Sequence, residues 1–170
     1  MSYQMKKGKI KMRILLATDG SPCSDVAVDE IARRPFPTGS EVRVISVIEP
    51  PDPPTIDPWQ GVAYYTDEFV KIQREHAQGA VDRALSKLRE GEESRKLHIT
   101  SEVLKGSAKT AIIEEAERFG ADLIVVGSNG YGVVKRFWLG SVSQALALHA
   151  PCSIEIVRER RSTSGAGEVQ

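Results

Sequence analysis

The sequence predicts an α/β fold, a single domain in which helices cover both faces of one doubly wound, five-stranded parallel sheet. Short apolar runs alternate with longer segments of helical periodicity along the chain. Several of these runs are continuously apolar, which is typical of parallel strands buried on both faces. The chain has 170 residues, the size of one ordinary domain. We therefore expect strands and helices in strict alternation, beginning with a strand.

Five segments are predicted to be strands because they are short, apolar and bounded by polar or glycine residues. The first reads RILLA and the fourth reads LIVVG, so both are almost entirely apolar. The third reads HITSEVL and alternates in polarity, which indicates an edge strand. The predicted strands are 13–17, 41–48, 98–104, 123–127 and 153–157.

Four segments between the strands repeat apolar residues every three or four positions, as amphipathic helices do. The first begins at the Ser21-Pro22 pair, which supplies a cap and a first-turn proline, and it stops at Pro35. The others are predicted over 68–90, 107–119 and 141–149. The long second helix is expected to bury one face, formed by Phe69, Ile72, His76, Ala80, Ala84 and Leu88.

The domain is predicted over 12–158, with one segment at each terminus outside it and one long connection within it. Residues 1–11 form a lysine-rich arm, for which solvation is favoured over a binding patch. Residues 159–170 are polar and glycine-rich, as in a disordered tail. A proline-rich stretch over 50–65 forms a long connection between the second strand and its helix.

Composition argues against several classes of protein. The 23 basic and 23 acidic residues cancel, which disfavours a nucleic-acid partner. No run approaches the ~20 apolar residues of a membrane span, and the run at Ile14 is too short for a signal peptide. The two cysteines and three histidines lack zinc-ligand spacing. We expect a cytoplasmic protein that binds neither membrane nor nucleic acid.

A glycine- and serine-rich segment between the fourth strand and the fourth helix carries the most specific signal. Gly127, Gly130 and Gly140 are expected to adopt conformations closed to other residues and to let a phosphate approach the backbone. The first amides of the following helix lack intrahelical partners and favour an anion. The hydroxyls of Ser141 and Ser143 can donate to phosphate oxygens. The segment therefore predicts a phosphate-binding loop.

The spacing matches neither the dinucleotide fingerprint nor the P-loop, and alone it also suits a surface loop with capping serines. Its context favours a ligand, because a second loop, Thr18-Asp19-Gly20, follows the first strand at the edge where doubly wound sheets bind ligands. Asp19 either accepts hydrogen bonds from a ribose hydroxyl or base amine, or shapes the turn and caps the helix. The sequence leaves both roles open.

Three segments, ILLATDGS, ADLIVVGSNG and LGSVSQALALHAPC, resemble the universal stress protein family, and the resemblance extends from Met12 to about Val157. Gly127, Gly130, Gly140 and Ser141 match the G-x2-G-x9-G-Ser/Thr motif of that family's ATP-binding branch. The resemblance implies a Rossmann-like sheet in strand order 3-2-1-4-5, as in adenine-nucleotide α-hydrolase domains.

The resemblance also implies a ligand, which is ATP with Mg²⁺ or Mn²⁺ held mainly through the phosphates. Asp19 is expected near the base or ribose, and the backbone of Val47 near the adenine edge. Asn129 departs from the family, which commonly has Arg or His there, so a charged phosphate contact is missing. The implied nucleotide-binding residues are Ala17, Thr18, Asp19, Val47, Val126, Gly127, Ser128, Gly130, Gly140, Ser141, Val142 and Ser143.

The favoured function is an ATP-binding regulator or sensor in the stress response. No residue near the glycine loop in sequence is recognisable as a general base or nucleophile, so no catalytic residue is assigned. The second function is a slow ATPase or a self-phosphorylating phosphotransferase, with loop serines as acceptors. The third is a dimeric interaction module in which the nucleotide is structural or absent.

The resemblance further implies a homodimer in which the last strands of two subunits pair antiparallel about a twofold axis. Ile154 and Ile156 are expected on one face of that strand and Glu155 on the other. Glu155 would then meet its symmetry mate, or the partner's Arg158 or the partner's Arg160. The predicted interface residues are Ser153, Ile154, Glu155, Ile156 and Val157.

Overall fold

The computed structural model describes residues 11–49, 67–130 and 139–158. The connection over 50–65, the tail over 159–170 and all of the arm except Lys11 lie outside these ranges, so those predictions are untested. The described elements alternate as predicted. They are β1 (Arg13–Ala17), α1 (Pro22–Arg33), β2 (Glu41–Ile48), α2 (Asp67–Glu90), a 3-10 turn (Ser94–Lys96), β3 (His98–Lys105), α3 (Ala108–Phe119), β4 (Leu123–Gly127), α4 (Ser141–His149) and β5 (Ser153–Val157).

The five strands form one parallel sheet in the order β3-β2-β1-β4-β5, which confirms the predicted topology. Strand β1 lies at the centre, with Leu16 level with Val44 of β2 and Val125 of β4. The chain winds outward in one direction from β1 to β3 and in the other through β4 to β5. A crevice is therefore expected at the carboxyl ends of β1 and β4, where the winding reverses.

Side chains along β1 alternate between two cores, one on each face of the sheet. Ile14 and Leu16 pack with residues of α1 and α2. Leu15 and Ala17 pack with residues of α3 and α4. Both faces are thus covered by helices, which explains why four of the five β1 residues are buried. None of the described helices is long and apolar enough to cross a membrane.

The predicted buried face of α2 is right for its C-terminal half and wrong for its N-terminal half. Ala80, Ala84 and Leu88 are buried, whereas Phe69 and Ile72 are 37% and 57% exposed. His76 is also exposed. The 24-residue helix is about 36 Å long, while the eight residues of β2 span about 26 Å. Periodicity identifies an apolar stripe but not how far the sheet extends beneath it.

The last strand presents its side chains as predicted, but its acidic residue has a partner within the chain. Ile154 and Ile156 pack against the α3 and α4 core. On the opposite face, both carboxylate oxygens of Glu155 accept hydrogen bonds from the guanidinium of Arg34, at 2.6 and 2.7 Å. This pairing holds the pKa of Arg34 above its usual value. The pairing of Glu155 across a dimer interface stays a prediction, and within the chain Arg34 is the partner of its carboxylate.

Candidate functional site

A cleft of about 320 Å³ opens at the point where the strand order reverses. It is bounded by the carboxyl ends of β1, β2 and β4 and by the first turns of α3 and α4. Eleven of the twelve predicted site residues line it, all except Ser128. The lining residues are Ala17, Thr18, Asp19, Ser24, Ile45, Ser46, Val47, Glu49, Ala108, Ile112, Val126, Gly127, Asn129, Gly130, Gly140, Ser141, Val142 and Ser143.

One end of the cleft is apolar. Ala17, Val47 and Val126 come from three neighbouring strands and share the α3 and α4 face of the sheet. Two residues from the start of α3, Ala108 and Ile112, stand opposite them. A slot between a sheet and a helix, lined by small and branched apolar side chains, suits a flat aromatic ring.

The backbone of Val47 borders this apolar end with a donor and an acceptor. The carbonyl of Ile45 accepts from Thr18 on the β1 side, and the carbonyl of Ile48 accepts from Gly106 on the β3 side. Because backbone groups alternate sides along a parallel strand, Val47 directs its N–H and C=O toward β1, as Ile45 does. Strand β1 ends at Ala17, opposite Ile45, before it reaches Val47. This N–H and C=O pair therefore faces the cleft.

The loop after β1 is held by its own polar side chains. Thr18 is buried, and its hydroxyl accepts from the Gly20 amide at 3.1 Å and contacts the Ser24 hydroxyl at 3.0 Å. Oδ1 of Asp19 accepts from the Ser21 amide at 3.0 Å. Asp19 therefore shapes the turn, one of its two predicted roles, while it also lines the cleft.

The motif glycines are close to neighbouring atoms but do not adopt unusual backbone angles. Positive φ occurs at four described glycines outside the motif, whereas Gly140 has φ of −62°. A Cβ at Gly127 would lie 2.6–2.7 Å from backbone atoms of Cys23 and Ser24 in α1. A Cβ at Gly130 would lie 2.5 Å from Oδ2 of Asp19. The predicted conformational reason is thus wrong: at Gly127 backbone atoms exclude a side chain, whereas at Gly130 a side chain would have to displace the Asp19 carboxylate.

Hydrogen bonds draw the two ends of the glycine-rich segment together. The Gly140 amide donates to the carbonyl of Ser128, and the Ser128 amide donates to the carbonyl of Val157, both at 2.8 Å. Ser128 is buried, so it stabilises the segment behind the cleft and does not line the cleft. The hydroxyl of Ser143 donates to the carbonyl of Gly127 at 2.8 Å, so its proton is not available to a phosphate, contrary to prediction.

The first turn of α4 supplies an anion-binding surface at the other end of the cleft. Gln144 is the first residue whose amide reaches a carbonyl four residues earlier, that of Gly140, at 2.9 Å. The amides of Ser141, Val142 and Ser143 precede it and carry the positive end of the helix dipole. Ser141 is exposed on the cleft wall. The geometry suits a phosphate group.

Sequence reasoning missed several lining residues, of which Glu49 is the most informative. Its Oε1 accepts from the Ala108 amide at 2.8 Å and caps α3, a role that the Ser107 side chain does not fill. Period-two alternation from Ile45 and Val47 would have placed Glu49 on the same face. Among the other residues missing from the predicted set, Ser24, Ser46, Ala108 and Ile112 reach the cleft only through tertiary packing.

Asn129 lines the cleft beside the motif glycines. Its Oδ1 is buried and has no hydrogen-bond partner among the described residues. The carbonyl of the same residue accepts from the Ser21 hydroxyl at 3.4 Å, which joins the two loops. Asn129 therefore places an uncharged amide on the cleft wall, where the family commonly has the charged side chain of Arg or His.

Comparison with known proteins agrees with the fold and with the family resemblance. The sequence profile described as "Universal stress protein family" matches residues 12–158. The chain belongs to the universal stress protein family. Universal stress protein MJ0531 of Methanocaldococcus jannaschii is 30% identical over 149 residues, which cover 86% of this chain and 82% of that protein.

Longer relatives also match this universal stress protein. Universal stress protein Rv1996 of Mycobacterium tuberculosis is 30% identical over 166 residues, which cover 91% of this chain and 50% of that protein. The chain thus spans about half the length of the mycobacterial relatives that it matches.

Solved structures share the fold at lower identity. The structure of hypothetical protein MJ0577 superposes with a TM-score of 0.68 at 21% identity, covering 91% of this chain and all of that one. An Arabidopsis thaliana family member described with AMP bound gives 0.61 at 15% identity, covering 91% and 96%. A universal stress protein in complex with cAMP gives 0.53 at 22% identity, covering 87% and 97%.

Proposed function

We propose that this universal stress protein binds ATP, with Mg²⁺, in the cleft at the strand-order reversal. The observation that carries the proposal is the division of the cleft into an apolar slot beside Val47 and an amide-lined end at the start of α4. A nucleotide has the same division between base and phosphates. Two structural relatives, one described with AMP bound and one in complex with cAMP, support an adenine nucleotide.

The base would lie in the apolar slot against the edge of Val47. The 6-amino group of adenine is a donor and its N1 is an acceptor, so the C=O and N–H of Val47 complement them. The side chains of Ala108 and Ile112 would cover one face of the ring, and Val126 the other. With the base bound in this way, the ribose would point toward Gly127 and the glycine-rich segment.

The phosphates would lie against the first turn of α4, with the divalent cation among them. Among the described residues no group of three or more potential ligand side chains is present, so the cation would be held chiefly by phosphate oxygens and water. Oδ2 of Asp19 and Oδ1 of Asn129 are oxygen donors of the kind that Mg²⁺ prefers, and both residues line the cleft. These residues fit a cation that enters with ATP and offsets the charge of the phosphates.

We infer a regulatory or sensing role in the stress response rather than rapid catalysis. Asp19 is the acidic group on the first loop, and its carboxylate already shapes the turn by accepting from the Ser21 amide, so we assign it a binding role rather than a catalytic one. We therefore expect ATP turnover far below the ~10 s⁻¹ median of enzymes. Steady-state phosphate release would test this, and turnover near that median that depends on Asp19 would contradict it.

Self-phosphorylation is an alternative function that one observation at this site supports. Ser141 presents an exposed side chain on the cleft wall, whereas the Ser143 hydroxyl is bound to Gly127. If the protein phosphorylates itself, the phosphate should appear on Ser141. Mass spectrometry after incubation with ATP, on wild type and on Ser141→Ala, separates this alternative from simple binding.

We propose a homodimer formed through β5, which is an edge of the sheet. An edge strand offers unpaired backbone groups to a second copy. Because Arg34 neutralises Glu155 within the chain, like charges are not brought together at the twofold axis. The expected cytoplasmic location, and the absence of nucleic-acid and membrane partners, stay predictions from composition.

A calorimetric titration tests the proposed function. The purified protein is first freed of carried-over nucleotide and then titrated with ATP, ADP, AMP and cAMP, with and without Mg²⁺. We expect saturable binding of ATP that is strengthened by Mg²⁺. Absence of binding for all four would leave the third alternative, an interaction module without nucleotide.

A further inference from the structure

We propose that Glu49 selects purine nucleotides that carry a 6-amino group, so that the cleft prefers adenine over hypoxanthine and guanine. The inference rests on the proposed function, because it concerns the base end of that cleft. Under this inference, base specificity is determined by the Glu49 side chain together with the backbone of Val47.

Glu49 lies at the end of the cleft where the base would bind. It follows β2 directly, and by strand alternation it shares a face with Ile45 and Val47. It lies two residues beyond Val47, which corresponds to about 7 Å along an extended chain. Its carboxylate reaches Ala108, which lines the apolar slot. The amide-rich first turn of α4 lines the other end. A carboxylate at the base end also opposes the reversed orientation, with phosphates beside α3.

The hydrogen bond to α3 fixes the carboxylate and leaves it able to bind a second donor. Oε1 accepts from the Ala108 amide at 2.8 Å, which anchors the side chain across the slot. An ionised carboxylate has two acceptor oxygens and no proton to donate. It can accept from the 6-amino group of adenine, whereas the 6-oxo group of hypoxanthine or guanine would present an acceptor to an acceptor. A site that reads a donor in this way rejects the analogue that lacks it.

Ribose hydroxyls are the other donors that ATP offers to a carboxylate. The ribose must lie between base and phosphates, and therefore nearer Ala17 and Gly127 than the far end of β2. The acidic residue close to that region is Asp19, which adjoins Gly130. The base amine is therefore the group that the position of Glu49 favours.

Three nucleotides and three proteins test the inference. ATP, inosine triphosphate and 2′-deoxy-ATP are titrated by calorimetry into wild type, Glu49→Gln and a control, Glu92→Gln, in the exposed turn after α2. The glutamine oxygen can still cap Ala108, and its NH₂ can donate to the 6-oxo group. We expect wild type to prefer ATP over inosine triphosphate at least tenfold. Glu49→Gln should narrow that ratio at least fivefold, and the control should leave it unchanged.

Each contrary outcome has its own meaning. If Glu49→Gln binds ATP but keeps the wild-type ratio of ATP to inosine triphosphate, the inference is wrong while the proposed function stands. If the variant instead changes only the ratio of ATP to 2′-deoxy-ATP, Glu49 reads the ribose and the inference is again wrong. If wild type binds none of the three nucleotides, the proposed function fails and the inference fails with it.

Discussion

The hydroxyl of Ser143 donates a hydrogen bond of 2.8 Å to the carbonyl oxygen of Gly127. This bond ties the first turn of α4 to the end of β4 and is made by a residue that is only 4% exposed. Ser141, two residues earlier, is exposed on the cleft wall. Two serines of the same helix turn therefore have different surroundings, since Ser141 faces the cleft and Ser143 is bonded within the fold.

Alanine substitutions should separate these roles. Ser143→Ala leaves the Gly127 carbonyl without its partner and should lower the free energy of unfolding by about 1 kcal/mol in urea denaturation. Ser141→Ala should change that free energy by less than about 0.5 kcal/mol. It should weaken ATP binding about tenfold by calorimetry, since a bond to a charged group contributes about 1.5 kcal/mol. The opposite assignment of the two effects would show that Ser143 is the ligand-binding serine.

The pH dependence of stability should include a contribution from Glu30. Hydrogen bonds from Arg33 and Arg34 hold the pKa of Glu30 below its ordinary value of 4.5. A carboxyl whose pKa is lowered by folding stabilises the protein above its unfolded pKa, and this stabilisation is lost as the pH falls through the folded pKa. Because Glu30 is partly solvent-accessible, the contribution should stay below about 1 kcal/mol.

Urea denaturation at pH 7 and pH 3 checks this contribution. Wild type should lose more stability between the two pH values than Glu30→Gln, which has no proton to bind. Glu92→Gln, in an exposed turn, should behave as wild type does. An equal loss in wild type and Glu30→Gln would mean that the ion pairs at the end of α1 do not stabilise the fold.

The proposed dimer should depend on the outer edge of β5. The Val157 carbonyl accepts from Ser128, and Val157 pairs with Gly127 of β4, so Val157 faces β4. By alternation, the Ile156 amide points outward. Ile156→Pro removes that donor without breaking the ladder to β4 and should raise the dimer dissociation constant at least tenfold in sedimentation velocity. Ile156→Val keeps the amide and serves as the control, and equally tight dimers in all three proteins would place the interface elsewhere.

The order and type of the elements were predictable because local pattern and fold agree. The near-continuous apolar strands, the Ser21 cap and the Gly120 stop each depend on neighbouring residues alone. The buried face of α2 was predicted wrongly at Phe69 and Ile72 because the extent of the sheet beneath a helix is not a local property.

The site was predictable in its positions but not in its reasons. The motif marks Gly127 and Gly130, yet the atoms that exclude a side chain there belong to Cys23 and Asp19, about a hundred residues earlier in the chain. The bond from Ala108 to Glu49 spans 59 positions, and the Arg34 to Glu155 pair spans 121. Such contacts follow from the order of the strands and carry no signal in a single sequence.

Calorimetric titration of Mg²⁺ and ATP into wild type, Gly130→Val and Gly79→Val tests the central claim most directly. A Cβ at Gly130, on the cleft wall, would lie 2.5 Å from Oδ2 of Asp19 and so crowds the proposed phosphate end, whereas a Cβ at Gly79, on α2, meets only the end of the Arg83 side chain at 3.4 Å. We predict saturable binding to wild type and Gly79→Val, and at least a hundredfold loss in Gly130→Val with an unchanged circular dichroism spectrum. Wild-type affinity in a folded Gly130→Val protein would contradict the claim that ATP occupies this cleft.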